Sequence, residues 1–114
     1  MWKVTSTNEY DRWLDDQNEE AVTEVIAVIS LLRQYGPGLS RPHADTLNGS
    51  HFANMRELRA RTTSAEIRVA FAFDPVRQAV LLVAGDKRGV NQKRFYRQLI
   101  AKADALYTAH LRKR

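Results

Sequence analysis

The stretch Glu66-Ile67-Arg68-Val69-Ala70-Phe71-Ala72-Phe73-Asp74-Pro75 decides how this chain folds. Ile67, Val69, Phe71 and Phe73 alternate with Glu66, Arg68, Ala70 and Ala72. One side is large and apolar, the other small or charged, which is the period-two pattern of a strand with one face on a core. Asp74-Pro75 then opens a turn. Beyond it, Ala79–Asp86 is apolar at both parities, so it reads as a central strand covered on both sides. Met55–Arg61 precedes the decisive stretch as a third strand. The links are short, which makes the three strands an antiparallel meander.

Outward from the meander the period changes to helical. From about Asn91, the positions Phe95, Leu99, Ala103, Leu106 and Tyr107 form a buried stripe, and the chain ends in Arg112-Lys113-Arg114. On the other side, a helix is expected from Glu19 to Tyr35, with Val22, Val25, Ile26, Ile29 and Leu32 facing the core and Gly36-Pro37-Gly38 as its stop. A shorter helix carries Tyr10, Trp13 and Leu14 on one face, with Ser6 and Glu9 as its capping box. Residues 2–5 alternate like a short strand. Residues 37–54 are a long polar connection, a length more often functional than not, which Leu39, Leu47 and Phe52 can pin to the core. The order is β-α-α-β-β-β-α: a small α+β domain over residues 1–114, one sheet with the two N-terminal helices on one face and the other face partly open.

Composition narrows the function. The 114 residues hold no cysteine, which excludes a thiol nucleophile, a cysteine-ligated zinc and a disulfide framework, and is compatible with the cytosol. No apolar segment approaches the roughly 20 residues of a membrane helix, and no secretory signal is evident, so a soluble cytoplasmic protein is expected. The net charge of +5 conceals a division: residues 1–35 sum to −4, residues 36–114 to +9. Such a division suggests an anion-binding face on the C-terminal two-thirds. His43, His51 and His110 are not at metal-ligand spacing, and no metal site or cofactor is expected. His43 and His51 both lie in the long connection, where one of them can approach the basic face.

The candidate residues follow from strand parity. Arg68 shares its face with two alanines, which would leave a concavity around it. Arg59 and Arg61 can project the same way from the neighbouring strand. Lys87-Arg88 ends the third strand, and Lys93, Arg94, Phe95, Tyr96 and Arg97 open the last helix. Unpartnered cations are not tolerated in a core, and a polyanion would supply their partners. The plain alternatives are that Arg59 and Arg61 are a solvated strand face, that Arg68 pairs with Glu57 or Glu66 across the sheet, that Lys87-Arg88 is a polar turn, and that Tyr96 caps the core edge.

Read in order, the segments 41–50, Asn54-Met-Arg-Glu-Leu-Arg59, Arg68-Val-Ala-Phe-Ala-Phe-Asp-Pro75, Ala79-Val-Leu-Leu-Val-Ala-Gly-Asp-Lys87, Arg94-Phe-Tyr96 and Ala103-Asp-Ala-Leu-Tyr107 resemble the phage-derived, HigB-like branch of the RelE/ParE toxin superfamily. The resemblance implies a RelE-type microbial ribonuclease fold and the toxin half of a type II toxin–antitoxin pair. The implied activity is ribosome-dependent, metal-independent cleavage of mRNA. The implied partners are the ribosome, mRNA and a helix-turn-helix antitoxin of the HigA type. Carried over by motif, it marks Arg59, Arg68, Lys87 and Tyr96 as catalytic candidates. Arg56, Arg61, Arg88, Lys93, Arg94 and Phe95 are the RNA-contacting candidates around them. Phe95 and Tyr96 suit stacking of a splayed base. Lys87 and Tyr96 are the two candidate general bases. Two other outcomes stay open: a toxin that poisons another target such as gyrase, as ParE-like relatives do, and an RNA-binding member without catalysis. On the ribonuclease reading, Arg59, Arg68 and Lys87 converge on one phosphate and the acidic helices face away from it.

Overall fold

A computed structural model describes residues 1–113. The elements are β1 (Val4–Ser6), α1 (Asn8–Asp15), α2 (Glu19–Tyr35), a single 3-10 turn (Gly36–Gly38), β2 (Ala44–Thr46), β3 (Met55–Arg61), β4 (Glu66–Phe73), β5 (Ala79–Asp86) and α3 (Gln92–Arg112). They build one five-stranded sheet in the order β1-β5-β4-β3-β2. β3, β4 and β5 are the expected antiparallel meander. β1 joins parallel to β5, which puts β5 in the interior as its double-parity pattern requires.

The faces of β4 sort as its alternation dictates. Ile67, Val69 and Phe71 pack with Val25, Val28, Ile29 and Leu32 of α2 and Tyr10 of α1. Ala70 and Ala72 lie on the other face with Met55, Val80, Leu82 and Val83, under Leu99, Ala103 and Tyr107 of α3. The β4–β5 register skips Leu82, and this bulge turns both Leu82 and Val83 toward α3. Ala70 and Ala72 therefore do not border a concavity. They are fully buried, and their small size lets α3 approach the sheet. Toward the start of α3, that face of the sheet carries Arg59, Arg68 and Gly85.

Three local expectations shift. The N-cap of α1 is Thr7, whose hydroxyl oxygen accepts from the Tyr10 N–H at 3.0 Å while its O–H donates to the Leu82 carbonyl at 2.6 Å. Ser6 instead donates to Asp11, and Glu9 pairs with Arg12 rather than closing a capping box. The inward stripe of α2 is Ala21, Val25, Val28, Ile29 and Leu32; Ile26 is 51% exposed, because the face centred on Val25, Ile29 and Leu32 turns it outward. The 37–54 connection is pinned by Leu39 and Leu47, both buried, and by Phe52 edge-on to Tyr107. It also contributes β2, a three-residue edge strand paired with β3. No helix is long and apolar enough to cross a membrane among the described residues.

Candidate active site

This end of the α3 face is set by register. Arg59 lies directly opposite Arg68, Arg61 opposite Glu66, and Glu57 opposite Ala70, so strand alternation sends Glu57, Arg59, Arg61, Glu66 and Arg68 to one face. The cations that were expected to be bare are interleaved with carboxylates. Arg59 donates through Nε and Nη2 to Oε2 of Glu57, both at 3.2 Å, and its Nη2 lies 3.5 Å from Oδ2 of Asp45. Asp45 is clamped from its other side by Arg41, at 2.7 and 2.8 Å. That guanidinium, helped by the Thr46 N–H, holds the Asp45 carboxyl below the usual carboxylate range. Glu66 takes Arg61 at 2.7 Å and lies 3.8 Å from Arg88. Five arginines thus share three carboxylates, which leaves the row cationic and ordered rather than bare.

Arg68 is the innermost member, only 7% exposed. Its Nη1 donates to the Ile67 carbonyl at 3.0 Å and lies 3.7 Å from Oε2 of Glu66. Its Nε stands 3.9 Å from Oε1 of Glu57, itself 3% exposed. That gap is too long for a hydrogen bond, and both atoms are buried without a partner. An unpaired buried donor or acceptor costs about 1–3 kcal/mol, so a facing pair of them marks a place where packing is subordinate to something else. Arg68 pairing with Glu57 and Glu66 was the plain alternative in the sequence, and it is the arrangement found, with the separation that such a pair would ordinarily close.

Tyr96 of α3 completes the group, its phenol beside Glu57 and Arg68. Burial pushes that phenol above its ordinary pKa, Glu57 adds to the push, and Arg68 works against it. Lys87 reaches the same ring, with Nζ 6.0 Å from its centroid, and donates to Oε1 of Gln92 at 3.1 Å. Arg59 and Arg68 thus flank Glu57, Tyr96 lies beside Glu57 and Arg68, and Lys87 lies at the far side of the Tyr96 ring. Phe95 packs edge-on to Tyr96 and over Gly85, where an added Cβ would sit 3.0 Å from its ring. It is partly buried and packs with α3 against the sheet.

The remaining candidates separate. Arg56 is one residue out of phase: it lies over the Phe71 ring on the α2 face and donates to the Leu39 carbonyl at 2.8 Å, anchoring the connection. Arg88 donates to the Thr63 carbonyl at 2.8 Å and so closes the end of the β3–β4 hairpin. Lys93 and Arg94 are exposed at the start of α3, a helix whose first turn has no acidic residue. His43 lines a cavity with Arg59, Arg61, Arg68 and, from α2, Glu24. Glu20 of α2 accepts from Thr63. The acidic helix thus reaches the basic end of the sheet instead of facing wholly away from it. Among the described residues no three acidic or histidine side chains come together as a metal-ligand set. The residue at the centre of the group that was not among the sequence candidates is Glu57. Its signal was in the sequence: two positions before Arg59 on a strand means the same face.

The family model for phage-derived Gp49-like proteins (DUF891) matches residues 12–108, a span that contains every residue of this group. Two proteins of Mycobacterium tuberculosis are similar to the chain. "Putative toxin HigB3" is 50% identical over 94 residues, 82% of this chain and 80% of that protein. "Putative toxin HigB2" is 41% identical over 100 residues, 87% of this chain and 49% of that protein, so the chain spans about half of the longer relative.

Proposed function

The chain belongs to the phage-derived Gp49-like family, and from that membership we propose that it is the toxin of a type II toxin–antitoxin pair, with a RelE-type ribonuclease fold, that cuts ribosome-bound mRNA in the cytoplasm. The observation that carries the enzymatic part is the facing, unpaired Glu57 Oε1 and Arg68 Nε beside a neutral Tyr96. A pure binding surface has no use for an acceptor, a donor and a phenol buried together at the end of a sheet. RNA cleavage uses all three.

The steps follow from the chemistry of the groups. As the message displaces the cover over the buried pair, Glu57 Oε1 takes the proton of a ribose 2′-hydroxyl. The 2′-oxygen forms a bond to the adjacent phosphorus in line with the 5′-oxygen, whose bond to phosphorus breaks. Arg68 Nε and the Arg59 fork donate to the non-bridging oxygens as charge builds, each such donor contributing about 3–4 kcal/mol. Lys87 adds a positive charge at the Tyr96 side. Tyr96, whose raised pKa keeps its proton in place at neutral pH, gives that proton to the departing 5′-oxygen. The products are a 2′,3′-cyclic phosphate and a 5′-hydroxyl; Glu57 then releases its gained proton to solvent and the Tyr96 phenolate takes one up from it. Of the two candidate bases in the sequence, the phenol suits the acid role better, and Glu57 takes the base role.

The ribosome has a physical place in this scheme. The donors of the arginine row are engaged by carboxylates, and free RNA must compete with them at high entropic cost; a message already held in register does not. A helix-turn-helix antitoxin of the HigA type is the expected partner. The test is to map RNA 5′ ends after induction. New ends inside translated messages, with few in untranslated RNA, are expected. Growth arrest with no new ends, accompanied by double-strand breaks in DNA, would assign the chain to a gyrase-type poison and sink the ribonuclease reading.

A further inference from the structure

The arginine row opens on one side into a cavity of about 470 Å³ between α2 and the ends of β3 and β4. Its walls differ in chemistry. Ala27, Val28 and Leu31 of α2, with Pro42 and Ala60, supply an apolar flank, and Arg59, Arg61 and Arg68 supply a cationic one. Two carboxylates line it, Glu24 and Glu66. Glu66 is engaged by Arg61, Arg68 and Arg88, whereas Glu24 makes no ion pair among the described residues.

This combination selects its occupant. The volume is that of a small-ligand pocket, not of an extended protein contact. An acidic peptide would meet Glu24 and Glu66, and a basic one would meet three arginines. A flat heterocycle joined to a phosphate satisfies each wall: apolar contact for the ring face, guanidinium for the phosphate, and a carboxylate acceptor for an N–H on the ring edge. Resting on the ribonuclease reading, we propose that this cavity is a nucleobase pocket, taking the base next to the phosphate held by Arg59 and Arg68, with Glu24 accepting from its edge. A carboxylate suits the amino groups of cytosine, adenine and guanine. Uracil offers only an N–H between two carbonyl oxygens, which repel it. Glu24 is thus a specificity-determining residue that disfavours uracil.

The experiment is an NMR titration of the isotopically labelled chain with inorganic phosphate and, separately, with AMP, CMP, GMP and UMP. Phosphate and nucleotides alike are expected to shift the side-chain N–H signals of Arg59 and Arg68. Only nucleotides should shift the backbone amides of Ala27, Val28, Leu31 and Ala60. The amino-bearing nucleotides should bind about fivefold more tightly than UMP, the lower end of what one base-edge contact discriminates. Glu24→Gln should erase that preference. Arginine signals that respond while the α2 and Ala60 amides stay silent to all four nucleotides overturn the pocket and leave the ribonuclease reading in place. Arginine signals silent to phosphate and nucleotides alike also overturn the pocket, while the ribonuclease reading is decided separately by the mapping of RNA 5′ ends. Groove amides that respond only to an antitoxin protein would assign the cavity to that partner and overturn the nucleobase pocket.

Discussion

Arg68→Ala is expected to lose cleavage of ribosome-bound mRNA and to lower stability in the same protein. The activity loss follows from the donor it removes: about 10²–10³-fold for one donor to a developing oxyanion, more if Arg59 reorients with it. The stability loss follows from burial. Without Arg68, Glu57 keeps Arg59 and the neighbouring Tyr96 phenol, and the Ile67 carbonyl loses a side-chain donor. Breaking a buried ion pair costs about 3–5 kcal/mol, and the 3.7 and 3.9 Å separations put Arg68 at the lower end. Urea midpoints and cleavage assays on purified ribosomes measure the two losses separately. A double variant, Arg68→Met with Glu57→Gln, removes both buried charges and should recover most of the stability while recovering none of the cleavage. Full cleavage by Arg68→Ala would contradict the site.

Glu57→Gln is expected to slow cleavage by about 10²–10⁴-fold, the usual contribution of a positioned general base. The amide keeps the shape of the carboxylate and can still accept from Arg59, so the stability change should be much smaller than for Arg68→Ala. Binding should move the opposite way to rate. Removing a negative charge from among five arginines leaves the row more cationic, so RNA affinity should rise and its salt dependence steepen while turnover falls. A residue that only held Arg59 in place would lower binding and rate together. That split separates a proton acceptor from a structural carboxylate.

Most of the fold was legible because its elements are set by local pattern. β3, β5 and α2 begin and end where their periodicity and punctuation place them: Gly36-Pro37-Gly38 after α2, Asp74-Pro75 between β4 and β5. β2 was not legible. Three residues carry no periodicity, and Ala44–Thr46 is a strand only because β3 offers it an edge. Ile26 misled because an apolar residue just off the inward face reads like one on it; its exposure is decided by how α2 rolls on the sheet.

The site was half legible. Parity alone puts Arg59 and Arg68 on one face; the same rule places Glu57 with them and turns Arg56 to the other face. The carboxylate partners depend on cross-strand register and on the path of the connection that carries Arg41 and Asp45, which no short window of sequence reveals. The −4/+9 division in charge carried real information but overstated the separation. Glu20 and Glu24 of the acidic helix reach the basic end of the sheet, one bonded to Thr63, the other in the cavity wall.

On the proposed mechanism, a ribose 2′-hydroxyl attacks its own phosphate in the site formed by Glu57, Arg59, Arg68 and Tyr96. Purified protein and ribosomes programmed with a message carrying a single 2′-deoxy nucleotide put this to the test. Placed immediately 5′ of the scissile phosphate, the substitution should abolish the cut at that position; placed one nucleotide downstream, it should leave the cut intact. Cleavage of the first message at the same phosphate would show that the 2′-oxygen is not the nucleophile and would contradict the account.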